Sequence, residues 1–382
     1  MIPVSFFMKV IILLFLSLIL SQDTLPQKDT KESNQLNTSV SFSVVGDLMC
    51  HSVQFNYAEV KEDSFDFVPV YREIEKYLSK SDFTIGNLET ISAGKKYKYT
   101  GYPAFNSPEE YIKALAKVGF DILFTTNNHS LDRGEVGLKN TNEKIVSNKM
   151  NPIGSFEKVK DTVSIFEKNG IKFSILAYTY GTNGFKLKDN SEYSLSYIDT
   201  NKIKRDIKIA KSKKAEICIL YFHFGEEYSR KPSNFQKEIV KRSISYGADI
   251  ILASHPHVIQ PIEFFKSPSS KLDSGFVAYS LGNFYSNQKW RYSDTGIILN
   301  FELTKDSHTN KISLSKIDYI PTWVHKYNNG NKKEFVILPS NFKKYKYSES
   351  FLVSKSDSSL IEESYHDTKT LIEKVEELSN YE

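Results

Sequence analysis

Cysteine is nearly absent from this chain: Cys50 and Cys218 are the only two in 382 residues. Two cysteines make no disulfide framework. Both are expected to be small buried thiols, with a single bridge as the alternative in an oxidising compartment. An excess of charge of either sign is also missing. Lysine and arginine number 50 against 46 aspartates and glutamates, a net charge of +4. A nucleic-acid-binding domain normally concentrates a basic face, so no nucleic-acid partner is expected. A glycine-rich phosphate loop is lacking, and so is a fixed-period repeat. These absences remove P-loop nucleotide binding and solenoid architectures. The longest apolar run, Val10 to Leu20, falls short of the roughly 20 residues that span a bilayer.

That run follows Lys9 and has the length of a signal-peptide core. Residues 1–21 therefore read as an export signal. Ile19 and Ser21 flank a poor cleavage site, so an uncleaved N-terminal anchor is the alternative. No cysteine follows the run, which argues against a lipid-anchored N-terminus. Residues 22–39 are polar and serve as a tether without the means to bury a core. The folded domain is expected to begin near Ser41. At 40% hydrophobic and 25% charged residues, the composition is that of a globular protein.

From there, apolar runs of strand character alternate with helical patterns. Strands are expected at 41–45, 82–85, 120–124, 172–178, 215–222, 248–254 and 275–279, and a β pair at 296–303 and 311–320. Helices are expected near 68–80, where Val70, Ile74 and Leu78 recur at helical spacing, and at 108–118. In the second, Ser107 is the expected N-cap, Pro108 the first helical residue and Glu110 the partner in a capping box. Further helices are expected up to about Lys149, at 201–213, and at 233–246 with Phe235, Ile239 and Ser243 or Ile244 inward. A last amphipathic helix spans about 358–379. The alternation implies a parallel or mixed sheet with helices outside, an α/β chain.

Six of the apolar runs end at once in Asp, Asn, Glu or His. In open α/β sheets ligands bind beyond the carboxyl ends of strands. The chain has eight histidines, and His51, His129, His223, His255 and His257 fall at these ends. Asp47, Glu89, Asn127 and Asn128 share them. Carboxylate, amide oxygen and imidazole together suit Mn, Fe or Zn. A carboxylate shared by two ions would allow the two-metal clamp used on phosphate esters. Each residue alone has a structural reading. Asp47 after Gly46 fits a turn, Asn127-Asn128-His129 a helix cap, and His255 and His257 a pair of loop histidines. Those two alternate, so they face one way only if the backbone turns. Glu226 and Glu227 are either acceptors that orient the histidines or exposed residues. His51 is a weaker candidate.

Six segments in order resemble the CapA/PgsA family of poly-γ-glutamate capsule-synthesis proteins, whose fold is related to calcineurin-like metallophosphoesterases. They are Gly46-Asp47-Leu48-Met49, Gly86-Asn87-Leu88-Glu89, Asn127-Asn128-His129 with Asp132, His223-Phe224-Gly225-Glu226-Glu227-Tyr228, Gly247-Ala248-Asp249 through His255-Pro256-His257, and Tyr279-Ser280-Leu281-Gly282-Asn283-Phe284. The resemblance implies a four-layer αββα sandwich over residues 40–325, followed by an extension over 326–382. It implies one or two divalent ions. Asp47 and His257 would hold the first ion, Asn128, His223 and His255 the second, and Glu89 would bridge them. His129, with Asn128, would be the catalytic group that assists the leaving group. Asn87, Glu226, Glu227, Tyr228 and Asn283 would support the site or touch substrate. Met49 stands where the phosphoesterases have a second histidine, which leaves the first ion weakly held or aided by His51. Phe224 and Ser254 are milder departures. The implied function is an exported or surface-attached component of poly-γ-glutamate capsule synthesis with a hydrolase-like site. The alternatives are a non-catalytic, polymer-binding scaffold of a membrane synthase complex and a phosphoesterase unrelated to capsule. The implied partners are the anionic polymer or a phosphate ester.

Overall fold

The computed structural model describes residues 37–158, 163–266, 271–330, 332–348 and 353–379. The expected signal or anchor and most of the polar tether lie outside these residues.

The chain opens with β1 (Thr38–Leu48), which starts three residues before the expected Ser41. Next come α1 (Ser52–Ala58), a small hairpin of β2 (Glu59–Lys61) and β3 (Ser64–Phe65), a 3-10 turn (Val68–Tyr71) and α2 (Glu75–Leu78). β4 (Phe83–Leu88), α3 (Glu109–Lys117), β5 (Ile122–Phe124), α4 (Gly134–Ser147), β6 (Asn151–Ile153) and β7 (Ser155–Glu157) follow. The middle of the chain carries β8 (Ser164–Lys168), β9 (Ile171–Thr179), β10 (Tyr193–Leu195), α5 (Thr200–Ser212), β11 (Ile217–His223), α6 (Asn234–Tyr246) and β12 (Ile250–Ser254). The rest is β13 (Ile262–Phe265), β14 (Gly275–Ala278), β15 (Asn283–Tyr285), β16 (Thr295–Lys305), β17 (Ile312–Asn329), β18 (Lys332–Pro339), α7 (Lys355–Leu371) and β19 (Glu376–Glu377).

These elements build two sheets. One runs β18-β17-β16-β1-β4-β5-β6, with β15 also on β1 and β19 on β17; the other runs β13-β14-β12-β11-β9-β8. β1, β4, β5 and β6 are parallel, as are β9, β11, β12 and β14. Side chains alternate across each strand, so every central strand feeds two cores. Phe42 and Val44 of β1, Phe124 of β5, Phe173 of β9, Tyr221 of β11 and Leu252 of β12 fill the space between the sheets. Phe124 stacks on Tyr221 across that interface, with centroids 3.9 Å apart. The opposite faces are covered by helices: Tyr111, Leu115 and Ile145 over the first sheet, Ile203, Ile207, Ile239 and Val240 over the second. Burial on both faces explains why the strands read as continuous apolar runs. The result is the four-layer αββα sandwich.

Several local expectations are corrected. The helix at 68–80 is a 3-10 turn plus one short α turn. Val70, Ile74 and Leu78 are nonetheless buried, so the spacing reports burial and not a continuous helix. At α3 the N-cap is Pro108 with no side-chain cap, because the Ser107 hydroxyl is engaged 2.6 Å from that of Thr90. On α6, Ser233 and Gln236 form the capping box and Gly247 closes the helix at φ 105°. Phe235 is exposed there, not inward. The terminal helix begins at Lys355 and stops at Leu371; Ile372 and Val375 are buried in a turn before β19. The expected β pair is present as β16 and β17, but β17 runs through residue 325 and pairs with β18. The extension therefore continues the first sheet. Both cysteines are buried and unbridged. Burial pushes the Cys50 thiol up to about 12 and that of Cys218 to about 11. Among the described residues no helix is long and apolar enough to cross a membrane.

Candidate metal centre

Parallel pairing sets the site. Asp47 lies beside Asn87 of β4 and beside Asn283 of β15 in strand register. The strand ends of the other sheet bring His223 next to Ser254, one residue before His255. The turn after β12 then does what alternation forbids. His255 has φ 108° and His257 φ 58°, and this left-handed path lets both imidazoles reach Glu89.

Asp47, Glu89, Asn128, His129, His223, His255 and His257 are all buried. One donor atom from each of Asp47, Glu89 and His223 lies within 4.8 Å of the others, and so it does for Glu89, His255 and His257. Glu89 is common to both groups. His257 Nδ1 is 3.1 Å from Asp47 Oδ2, and the His223 and His255 rings are 4.8 Å apart. The Asn128 side-chain oxygen is 3.0 Å from His223 Nε2. Asn87 donates to Asp47 at 2.8 Å and accepts from Asn127 at 3.1 Å. Asn283 Oδ1 is 3.1 Å from His257 Nδ1.

The charge state fits a cation. Burial, followed by the neighbouring Asp47 carboxylate, holds the Glu89 carboxyl well above its ordinary range. For Asp47 burial pulls upward, but His257 and the Asn87 amide outweigh it and keep the group ionised. Burial and the neighbouring imidazoles push His223 far down and His255 to about 3. Both rings are therefore neutral at ordinary pH, with a nitrogen lone pair to offer. Glu89 Oε1 and His255 Nδ1 are buried and lack a hydrogen-bond partner among the described residues. Buried polar atoms are normally paired, and a divalent ion bound to oxygen and imidazole would satisfy both.

His129 belongs to neither donor group. Its Nδ1 is 2.8 Å from Asp132 Oδ2, and Asp132 is itself fixed by the Phe105 N–H at 2.7 Å. Phe105 packs edge-on against the ring at 4.7 Å. His129 Nε2 makes no hydrogen bond among the described residues. His51 sits against Gln54 at 3.1 Å and Asn287 N at 3.3 Å, outside both donor groups. Burial pushes it down to about 4. Met49 is buried, with its sulfur 3.6 Å from the Ser286 hydroxyl. Glu226 and Glu227 are exposed and accept no hydrogen bond from a site histidine among the described residues. Tyr228 is at the rim, 6.2 Å from the His257 ring.

Sequence reasoning assigned no role to Tyr180, whose ring is 4.6 Å from that of His255, or to Gln288, which bridges Asn283 and Tyr228 at 2.8 and 3.3 Å. Neither stands at an apolar-run-to-polar junction of the kind that marked the others. The link between His129 and Asp132 also went unread, although their three-residue spacing was a usable signal.

A two-sheet αββα sandwich with carboxylate, amide and imidazole donors gathered at its strand ends defines an α/β protein with a candidate divalent-metal site. Within that class the chain belongs to the family described as Bacterial capsule synthesis protein PGA_cap, whose sequence pattern matches residues 41–288. It is 28% identical over 278 residues to the capsule biosynthesis protein CapA of Bacillus anthracis, covering 70% of this chain and 64% of that one. The chain thus spans less than two thirds of that relative. It is also 28% identical over 285 residues to the PGA biosynthesis protein CapA of Bacillus subtilis, covering 73% and 71%. Among solved structures it is similar to a calcineurin-like phosphoesterase of Bacillus subtilis, with 13% identity, 87% and 98% coverage and a TM-score of 0.45. A phosphatase of Mycoplasma pneumoniae gives 14%, 75% and 94%, and 0.45.

Proposed function

We propose that this is an exported protein of the bacterial cell envelope that acts in poly-γ-glutamate capsule assembly through a metal-dependent hydrolytic site. Family membership supports the capsule role, and the apolar run Val10–Leu20 supports export. Its partners are the anionic polymer and a membrane-bound synthase complex.

Asp47, Glu89, Asn128, His223, His255 and His257 would hold one or two ions of Mn, Fe or Zn. When bound, the metal supplies Lewis acidity toward a carbonyl or phosphoryl oxygen. The chain's own residues do the rest. Asn87 and Asn283 orient Asp47 and His257. Asp132 fixes the His129 tautomer, so that Nε2 carries the lone pair or, once protonated, the proton. His129 follows the donor Asn128 directly in the chain, and its Nε2 would pass a proton to the leaving group.

The observation that carries this reading is the His129–Asp132 pair. A scaffold that merely binds metal has no use for an oriented acid next to it. The test uses the metal-loaded protein with γ-linked glutamate oligomers and phosphate esters as substrates. His129→Ala is expected to keep its metal and lose at least about a hundredfold in hydrolysis. A fully active variant removes His129 from the mechanism. Wild-type protein that binds metal but cleaves neither substrate class favours the scaffold.

A further inference from the structure

The stretch beyond the family-matched residues has no part in the reading above, yet it reaches the rim of the site. α7 packs on β17 and β18 through Ile361, which is buried with Trp323, Tyr327, Val336 and Leu338. Elsewhere on its surface, Glu363 and Asp367 lie one turn apart and face the loop between β15 and β16. Arg291 of that loop donates to both carboxylate oxygens of Asp367 at 3.3 and 3.2 Å and lies 3.2 Å from Glu363. Arg230, on the loop after β11, donates to the Asp367 carbonyl at 2.7 Å and stands 4.2 Å over the Tyr292 ring. Two loops flanking the donor cluster are thus tied to one helical turn. Single exposed ion pairs are weak, but a two-pronged arginine contact adds geometric definition. Arg230 locks the same residue a second time.

Between these loops Trp290 meets Tyr228 edge-on at 5.1 Å. Trp290 is 51% exposed and Tyr228 40%. Gln288 connects the pair to Asn283, and through it to His257. Exposed large aromatics beside a buried donor set mark a binding surface. Lys231 and Lys289 stand exposed on the same loops.

We propose that Asp367 is a positioning residue: its carboxylate, through Arg291, holds Trp290 against Tyr228 as a platform that binds the substrate chain next to the group at the metal donors, while its backbone carbonyl anchors Arg230. The occupant is a γ-glutamyl chain, whose amide planes lie on the rings and whose carboxylates meet the two lysines. This occupant rests on the functional reading above.

Trp290 and Trp323 are the chain's two tryptophans, and Trp323 is buried. Acrylamide quenching of the full-length protein therefore reports on Trp290. In Asp367→Ala the quenching constant is expected to change about twofold and affinity for a γ-linked glutamate oligomer to fall about fivefold, with metal content unchanged. Asp367→Glu restores both. Arg291→Gln cuts the same contact from the other side and is expected to match Asp367→Ala, which guards against a folding defect in either one. Trp290→Ala is expected to lose about tenfold in oligomer affinity and keep its metal. Wild-type quenching and affinity in Asp367→Ala and Arg291→Gln overturn the positioning role. Wild-type affinity in Trp290→Ala overturns the platform, as does a metal-loaded wild type that binds no oligomer. A wild type that takes up no metal sinks the functional reading instead, and the quenching comparison still judges Asp367.

Discussion

Two residues, His255 and His257, show how much the site depends on local backbone. A non-glycine residue at positive φ costs about 1–3 kcal/mol, and this turn holds two of them around Pro256. The strain persists because it aims both imidazoles at Glu89. His255→Ala is expected to lose most of the bound metal, read by elemental mass spectrometry; unchanged metal content would remove His255 from the ligand set. Asp249 leads to a different test. Burial raises its carboxyl to about 7, against the donation of the Cys218 N–H at 2.8 Å. The folded protein therefore keeps a proton that the unfolded chain releases near its ordinary value. Where the native state binds more protons, stability falls as pH rises, here between about pH 4 and 7. Asp249→Asn is expected to flatten that stretch of the urea-midpoint profile. An undiminished slope would mean that Asp249 is ionised in the native protein. At this scale the sequence was legible for residue type: the donors were visible as a set. The sign of φ at His255 was not, because nothing in Ser-His-Pro-His alone demands it.

Among the elements, the close parallel pairing of β1 and β15 decides whether Asp47 meets Asn283. Gly46 allows it: a Cβ there would lie 1.9 Å from the Gly282 carbonyl oxygen. Gly46→Ala must push the strands apart, and a loss of about 3 kcal/mol is expected by urea denaturation, together with weaker metal uptake. A wild-type midpoint would show that this pairing has slack. The strands are legible because continuous apolar runs that stop at polar residues are a local signal. The helix at 68–80 was misread because Val70, Ile74 and Leu78 are buried from a broken path that imitates helical spacing. Ser107 was misread as a cap because its hydroxyl had a tertiary partner, Thr90, 17 residues away in sequence. Phe235 was placed inward by spacing alone, which does not fix the phase of a helix against its sheet.

For the molecule as a whole, an ion held by the donor cluster would act as a folding ligand. An ion that binds only the native state stabilises it by about 2.7 kcal/mol at a hundredfold excess over Kd. Stripping the protein with a chelator is therefore expected to lower Tm by about 4 °C, and re-addition of Mn or Zn to restore it. A Tm indifferent to both would mean that the donor cluster holds no ion. The sequence by itself determined the order of strands and helices, the sandwich class through its match to a known family, and which residue types end each strand. Those features follow from short-range alternation and from polar residues placed where apolar runs stop. Only the tertiary structure decided that His257 faces Asp47 across 210 residues of chain, that β17 and β18 carry the extension into the first sheet, and that α7 returns to the rim. Each of these is fixed by how two sheets and a distant helix pack, and packing is set by the summed contacts of many segments, which no single stretch encodes.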